Sequence, residues 1–220
     1  MKLVLASGSQ RRRELLTMCG YDYEIIVSNA DETIDENDPE SFVRALSFRK
    51  AKEVFDRVFA AGRRDFAVIG SDTVVAFQKE GETKPVIIGK PKDAKDAVRI
   101  LSMLSGKTHR VFTGVSVIAD IPDENAAAQC SIREKAEIQT ECSITEVTFE
   151  TLSPDEIADY VNSGDPLDKA GSYGIQGPFG MFVREIRGNY FTVIGMPIPV
   201  LYKMLKKIGI LPHGFYERIE

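Results

Sequence analysis

The stretch FAVIGSDTVVAF, residues 66–77, limits the fold more than any other part of the chain. It is long and mostly apolar, which suits a central strand covered on both faces. Helices must supply that cover, and helical patterns flank it. Upstream, Asp38 can cap a helix and Pro39 fits its first position. Phe42, Leu46, Val54, Phe55, Val58 and Phe59 then recur near helical spacing, up to Ala61-Gly62. Downstream, Asp93 begins a helix with Ala97, Ile100, Leu101 and Leu104 on one face, and Gly106 lies just past its end.

The remaining segments extend the alternation. Leu3–Ala6 read as a buried strand, followed by a helix over Arg11–Met18 with Ser9 as its cap and Gly20 closing it. Tyr23–Val27 read as a strand, and NADETIDENDPE as an acidic, turn-rich connection. KEGETKP is a loop or hairpin tip. Val111–Ala119 and Glu137–Phe149 form a long hairpin around the polar segment IPDENAAAQCS, a surface loop. SPDE, residues 153–156, is a capping box that starts a helix ending at Ser163-Gly164. A glycine-rich stretch, DPLDKAGSYGIQGPFG, comes next. Tyr190–Ile194 read as a strand and Pro199–Ile208 as an amphipathic helix. Strands and helices alternate but hairpins intrude, so the expectation is an α/β fold with a mixed sheet. The 220 residues are taken as a single domain, 1–220.

Composition removes several functions. The net charge is -5, which argues against a nucleic-acid binder; any anion site must be local. Three scattered cysteines, Cys19, Cys130 and Cys142, form no CxxC pair. They point away from disulfides and zinc and towards a reducing cytoplasm. Two histidines, His109 and His213, cannot build a histidine-rich metal site. The apolar stretch in MKLVLASGS is too short for a signal peptide, and no segment approaches a membrane span.

The chemistry concentrates in a few places. In LASGSQRRREL three arginines stand where a helix begins, the end whose partial charge favours anions. The run follows a strand and a glycine turn, as phosphate-binding helix starts do, although no Walker loop is present. The alternative is a solvated helix face. Arg11, Arg12 and Arg13 fan around the helix, so they cannot all face one ligand. Asp72 sits inside an apolar strand, where a carboxylate needs a partner. Gly70-Ser71 before it could form a bulge that turns Asp72 towards a cleft. Asp31 and Glu32 are hard oxygen donors suited to Mg²⁺ or Mn²⁺ bound with a polyphosphate, if the fold brings them near Asp72. Lys50 lies within a helix, Lys90 in a tight loop, and Gln176 in a glycine-rich segment offers a donor and an acceptor to a base edge. No Ser-His-Asp set is present, so covalent catalysis is not favoured. The inventory suits metal-assisted attack of water on a polyphosphate.

Taken in order, LASGSQRRREL, ADE, RALSFRKA, GSDTVV, GKPKD, LSGKTHRVFTGV, DPLDKAGSYGIQG and GNYFTVIGMPI resemble the Maf family of nucleoside triphosphate pyrophosphatases, also called the septum-formation inhibitor family. The resemblance covers nearly the whole chain. It implies an elongated mixed sheet with flanking helices, of the Maf/ITPase-like kind, with two lobes around a central cleft and often dimeric. It also implies cleavage of nucleoside triphosphates between the α- and β-phosphates with a divalent metal, Mg²⁺ or Mn²⁺. By position, Asp72 resembles the catalytic acid that activates water and helps hold the metal, and Glu32 a metal-binding acid. Lys50, Lys90 and Arg12 resemble phosphate contacts, with Lys90 counted among the catalytic groups, and Ser7 and Ser9 line the turn. Arg11, Thr73 and Gln176 resemble the dTTP/UTP branch of the family.

Two departures stand out. Gln10 occupies a position where proline is usual, and the region from Ala119 to Lys135 is longer than typical. Two other readings remain open at this point. One is a nucleotide-binding regulator of cell division without catalysis; the other is a pyrophosphatase of the 7-methyl-GTP type.

Overall fold

A computed structural model describes residues 1–79, 81–121 and 136–214. The polar connection expected between the two hairpin strands falls almost wholly outside them, as does Cys130. The strands are β1 (Lys2–Leu5), β2 (Tyr23–Ile25), β3 (Phe66–Phe77), β4 (Val86–Ile88), β5 (Thr108–Asp120), β6 (Ala136–Phe149) and β7 (Val183–Arg187). The helices are α1 (Gln10–Met18), α2 (Pro39–Ala60), α3 (Ala94–Leu104), α4 (Pro154–Asn162), α5 (Tyr190–Ile194) and α6 (Ile198–Lys207).

The strands form one seven-stranded mixed sheet in the order β2-β1-β3-β5-β6-β7, with β4 added to β3. β3 is its centre, as its apolar sequence requires. One edge of β3 pairs continuously with β5, from Ala67↔Ala119 to Ala76↔Arg110. The other edge is shared. β1 runs parallel along Phe66–Ile69, and β4 runs antiparallel along Val75–Phe77. Between them, residues 70–74 have no strand of the described residues beside them on that edge. This gap opens onto the functional site.

Local signals explain the helix boundaries. Asp38 accepts a hydrogen bond from Ser41 N (2.9 Å), with proline at the first turn of α2. Asp93 accepts from Asp96 N (2.8 Å). Ser153 and Glu156 complete the capping box of α4. These side chains satisfy the N–H groups a helix start leaves open.

α2 lies across one face of the sheet at very close range. A Cβ on Gly70 would lie 2.2 Å from Ser47 O, and one on Gly114 would lie 2.2 Å from Val43 O. The Gly70-Ser71 bulge expected from the sequence is therefore absent: the β3–β5 register runs through unbroken. The glycine is there to let the helix approach.

The other face carries two separate apolar clusters. Ala67 and Ile69 pack with Leu15 and Leu16 of α1 and with Leu201, Met204 and Leu205 of α6. Val75 and Phe77 pack with Ile100, Leu101 and Leu104 of α3 and with Ile157, Tyr160 and Val161 of α4. Between these clusters the strand face is polar, with Ser71 and Thr73 on β3 and Thr113 on β5. The expected two lobes around a cleft correspond to this division.

One segment differs in type. Tyr190–Ile194, expected as a strand, is a short helix. Its residues favour strands, but Asn189 accepts from Phe191 N (2.8 Å) as a cap and Gly195 closes it in the left-handed region (φ 108°). Capping at both ends overrides the intrinsic preference. Its hydrogen bonds serve the site: Thr192 O accepts from Thr113 Oγ1 at 2.7 Å.

Candidate active site

The cleft has a volume of about 1040 Å³ and runs from the start of α1 to the glycine-rich segment after α4. Asp72 projects from β3 on the α2 face, at the level of the gap. Lys50 of α2 meets it with Nζ 2.7 Å from Oδ1. The same ammonium lies 2.8 Å from Glu32 Oε1. One cation thus joins two acids that are 40 residues apart in sequence (72 − 32). Lys50 and Asp72 are nearly buried, with side chains 12% and 13% exposed, whereas Glu32 is 67% exposed. Burial works against ionisation of Glu32. The hydrogen bond and charge of Lys50, with Lys90 and Arg12 behind, nevertheless hold its pKa below the ordinary glutamate value.

Thr73 points to the opposite face of β3, where Arg12 arrives from α1. Arg12 Nε donates to Gly195 O (2.8 Å), Nη1 to Ser7 Oγ (3.1 Å) and Nη2 to Thr73 Oγ1 (3.4 Å). No carboxylate lies within ion-pair distance of it among the described residues. Burial lowers its pKa, while the charge of Asp72 acts in the opposite direction. It remains a cation, because guanidinium keeps its proton in proteins. Ser7 Oγ also accepts from Ser9 N (3.2 Å) and so shapes the turn into α1. Ser9 occupies the cap position without a capping side-chain bond, so the first N–H groups of α1 stay open.

Arg11 reaches the other wall, with Nη1 3.5 Å from Asp168 Oδ2. Asp168 also pairs with Lys169 (2.7 Å), which pairs with Asp165 (3.1 Å), which accepts from Tyr160 Oη (2.5 Å). The glycine-rich segment is thereby tied to α4. Its Gly171 N–H donates to Gly89 O (3.0 Å), the residue before Lys90. Lys90 and Gln176 both line the cleft and are exposed. Asp31 does not join the site. It is exposed, and its Oδ1 accepts from Thr33 N (2.9 Å).

Gly195 O, the anchor of Arg12, has no signature in the sequence, because every residue carries a backbone carbonyl. Asp168 and Tyr173 were equally unmarked. His109 turns out to be structural: 2% exposed, 3.0 Å from Tyr173 Oη, and pushed down to a pKa of about 3 by burial.

The donor set also tests for a metal. Among the described residues no three acidic, histidine or cysteine side chains gather into a cage. Asp72 and Glu32 offer two carboxylates beside open space, and the remaining ligands would come from phosphates and water. Mg²⁺ and Mn²⁺ are held in this way at nucleotide sites, so the residues fit such an ion.

Comparison with known proteins decides the lineage. A family model described as Maf-like protein matches residues 2–208. The chain belongs to the Maf family. A dTTP/UTP pyrophosphatase of Agathobacter rectalis is 41% identical over 217 residues, covering 95% of this chain and 98% of that protein. One of Bacillus thuringiensis subsp. konkukian is 42% identical over 210 residues, covering 95% and 96%. The solved structure of the Staphylococcus aureus Ham1 protein matches with a TM-score of 0.47 and 14% identity, covering 94% of this chain and all of that one. Gln10, the departure from the usual proline, takes the first position of α1, where its Nε2 donates to Glu14 Oε1 at 2.8 Å.

Proposed function

We propose that this Maf protein is a nucleoside triphosphate pyrophosphatase that converts dTTP and UTP to the monophosphate and pyrophosphate. One observation carries the reading: Lys50 holds Asp72 and Glu32 together in a cleft walled by the open, arginine-rich start of α1. The names of the relatives supply the nucleotides.

In this reading the triphosphate lies along the start of α1. Open N–H groups, Arg12, Lys50 and Lys90 offset its charge, and Ser7 and Ser9 line the turn. Water attacks the α-phosphorus, the bond to the bridging oxygen of the β-phosphate breaks, and pyrophosphate leaves with the bonding pair. Asp72 takes the proton of the water. Lys50 engages Oδ1, while Oδ2 carries no hydrogen bond among the described residues and can face the water. Asp72 and Glu32 would hold Mg²⁺ or Mn²⁺, and such an ion, when bound, neutralises phosphate charge and lowers the barrier to attack. Lys90 stabilises charge on the departing pyrophosphate. Gln176 pairs with the O4/N3 edge of thymine or uracil, with Arg11 and Thr73 completing the preference. The family resemblance further supports one domain over residues 1–220, a homodimer and a cytoplasmic location.

A panel of nucleoside triphosphates assayed for pyrophosphate release with Mg²⁺ or Mn²⁺ tests this. The expected result is fastest turnover of dTTP and UTP, abolished by chelation. Binding without release would overturn catalysis. A preference for 7-methyl-GTP would overturn the pyrimidine assignment.

A further inference from the structure

The three arginines that open α1 leave it in three directions. Arg12 is anchored on the sheet, and Arg11 meets Asp168 on the glycine-rich wall. Arg13 stands on the β2 side, where its carbonyl accepts from Tyr23 Oη (2.9 Å). Its side chain also lines the cleft. Its Nε is buried with no hydrogen-bond partner, and no carboxylate lies within ion-pair distance, among the described residues. Glu14, its neighbour in sequence, is engaged by Gln10 (2.8 Å). A buried cationic N–H without a partner is costly, and such groups in native proteins call for a ligand or water. At a guanidinium inside a cleft otherwise lined for phosphates, that ligand is an anion.

The layout of the cleft says which part of the substrate it is. Arg11 meets Asp168 on the glycine-rich wall that also carries Gln176, and Arg13, two residues on, lies about 200° further round α1, on the side away from that wall. A nucleotide with its base at Gln176 and its α-phosphate at Asp72 directs its remaining phosphates towards Arg13. We propose that Arg13 binds the terminal phosphate of the triphosphate, and therefore the distal end of the departing pyrophosphate. Its planar fork suits two phosphate oxygens at once. This inference rests on the pyrophosphatase reading.

The test compares Arg13→Gln and Arg13→Lys with the unaltered protein. Arg13→Gln should raise KM for dTTP roughly tenfold or more, the effect of losing a charge-assisted hydrogen bond. Inhibition by inorganic pyrophosphate should weaken by the same factor, with inhibition by dTMP unchanged. Arg13→Lys should recover part of the loss, because it keeps charge but not the fork. Pyrophosphate inhibition unchanged in Arg13→Gln would overturn the proposal. So would an equal weakening of dTMP inhibition, which would indicate a general disturbance of the cleft. If the unaltered protein releases no pyrophosphate from any nucleotide, the pyrophosphatase reading fails. Calorimetric binding of pyrophosphate to the unaltered protein and to Arg13→Gln then decides the role of Arg13, and equal affinities would overturn it.

Discussion

Replacing Asp72 by asparagine removes one charge and one proton acceptor while keeping the size of the side chain. Two effects can be separated by magnitude. Removing one partner of a fully buried ion pair costs about 3–5 kcal/mol. Here Lys50 keeps Glu32 at 2.8 Å, and the asparagine amide oxygen can still accept from Nζ. The cost should therefore be well below that range, on the order of 1 kcal/mol, which lowers Tm by roughly 2–4 °C in a chain of this length. The effect on chemistry should be far larger. A positioned general base contributes roughly 10²–10⁴ in rate, so kcat for pyrophosphate release from dTTP should fall by about that factor. KM should change little, because the phosphate cations remain. The assay is steady-state pyrophosphate release with saturating metal, alongside thermal unfolding of the same sample. A kcat within about tenfold of the unaltered protein would refute the assignment of Asp72 as the base. A Tm loss of about 10 °C or more would instead show that its charge chiefly holds the fold.

Three further outcomes follow from the packing. Gly70→Ala places a Cβ 2.2 Å from Ser47 O and 2.7 Å from Ala51 N, so α2 must shift; unfolding should show a loss of at least about 3 kcal/mol, whereas Gly89→Ala, with nothing within 4 Å, should leave stability unchanged. Ser172 has φ 60° and a buried hydroxyl with no hydrogen-bond partner among the described residues; Ser172→Gly relieves both and should raise stability by about 1–2 kcal/mol in denaturant titration. His109 is neutral in the fold because burial lowers its pKa from 6.5 to about 3. Between those values the unfolded chain binds the extra proton, so stability should fall as pH drops from 6.5 towards 3. The limiting slope is about 1.4 kcal/mol per pH unit, and a His109→Phe protein that keeps this slope would contradict the account.

Much of this fold is legible because its signals are local. Asp38-Pro39, Asp93 and the Ser153–Glu156 box fix helix starts within a few residues, and each is satisfied by its own turn. The failures are equally physical. Gly70 inside a strand signals either a bulge or a close approach, and only the position of α2 decides between them. Tyr190–Ile194 is a run of strand formers made helical by Asn189 and Gly195 outside it. The strands β4 and β7, of 3 and 5 residues, are too short to stand out and exist through pairing with β3 and β6. At the site, Asp72, Glu32 and Lys50 are recognisable as residue types and by family resemblance. Their meeting at one ammonium depends on α2 crossing the sheet at Gly70 and Gly114, which no local pattern encodes.

The same crossing explains why three arginines can begin a helix. Isolated in solution, such a run would oppose the helix dipole. In the fold, β1 stops at Leu5, beside Ile69, and β4 ends at Ile88, beside Val75, so among the described residues β3 is bare at residues 70–74 on that edge. A longer β1 would pair those residues and displace the turn at Ser7–Ser9 that turns α1 towards the gap. Because the gap is kept, Arg12 finds carbonyl and hydroxyl partners on the far face of β3, and its charge stands within the influence of Asp72 on the near face. Arg11 is drawn to Asp168 on the other lobe. The positive charge at the start of α1 is thus distributed over three separate environments, each opening on one cleft. A polyphosphate is the ligand whose charge extends along the same path, so the short β1 strand and the arginine run are two parts of one arrangement.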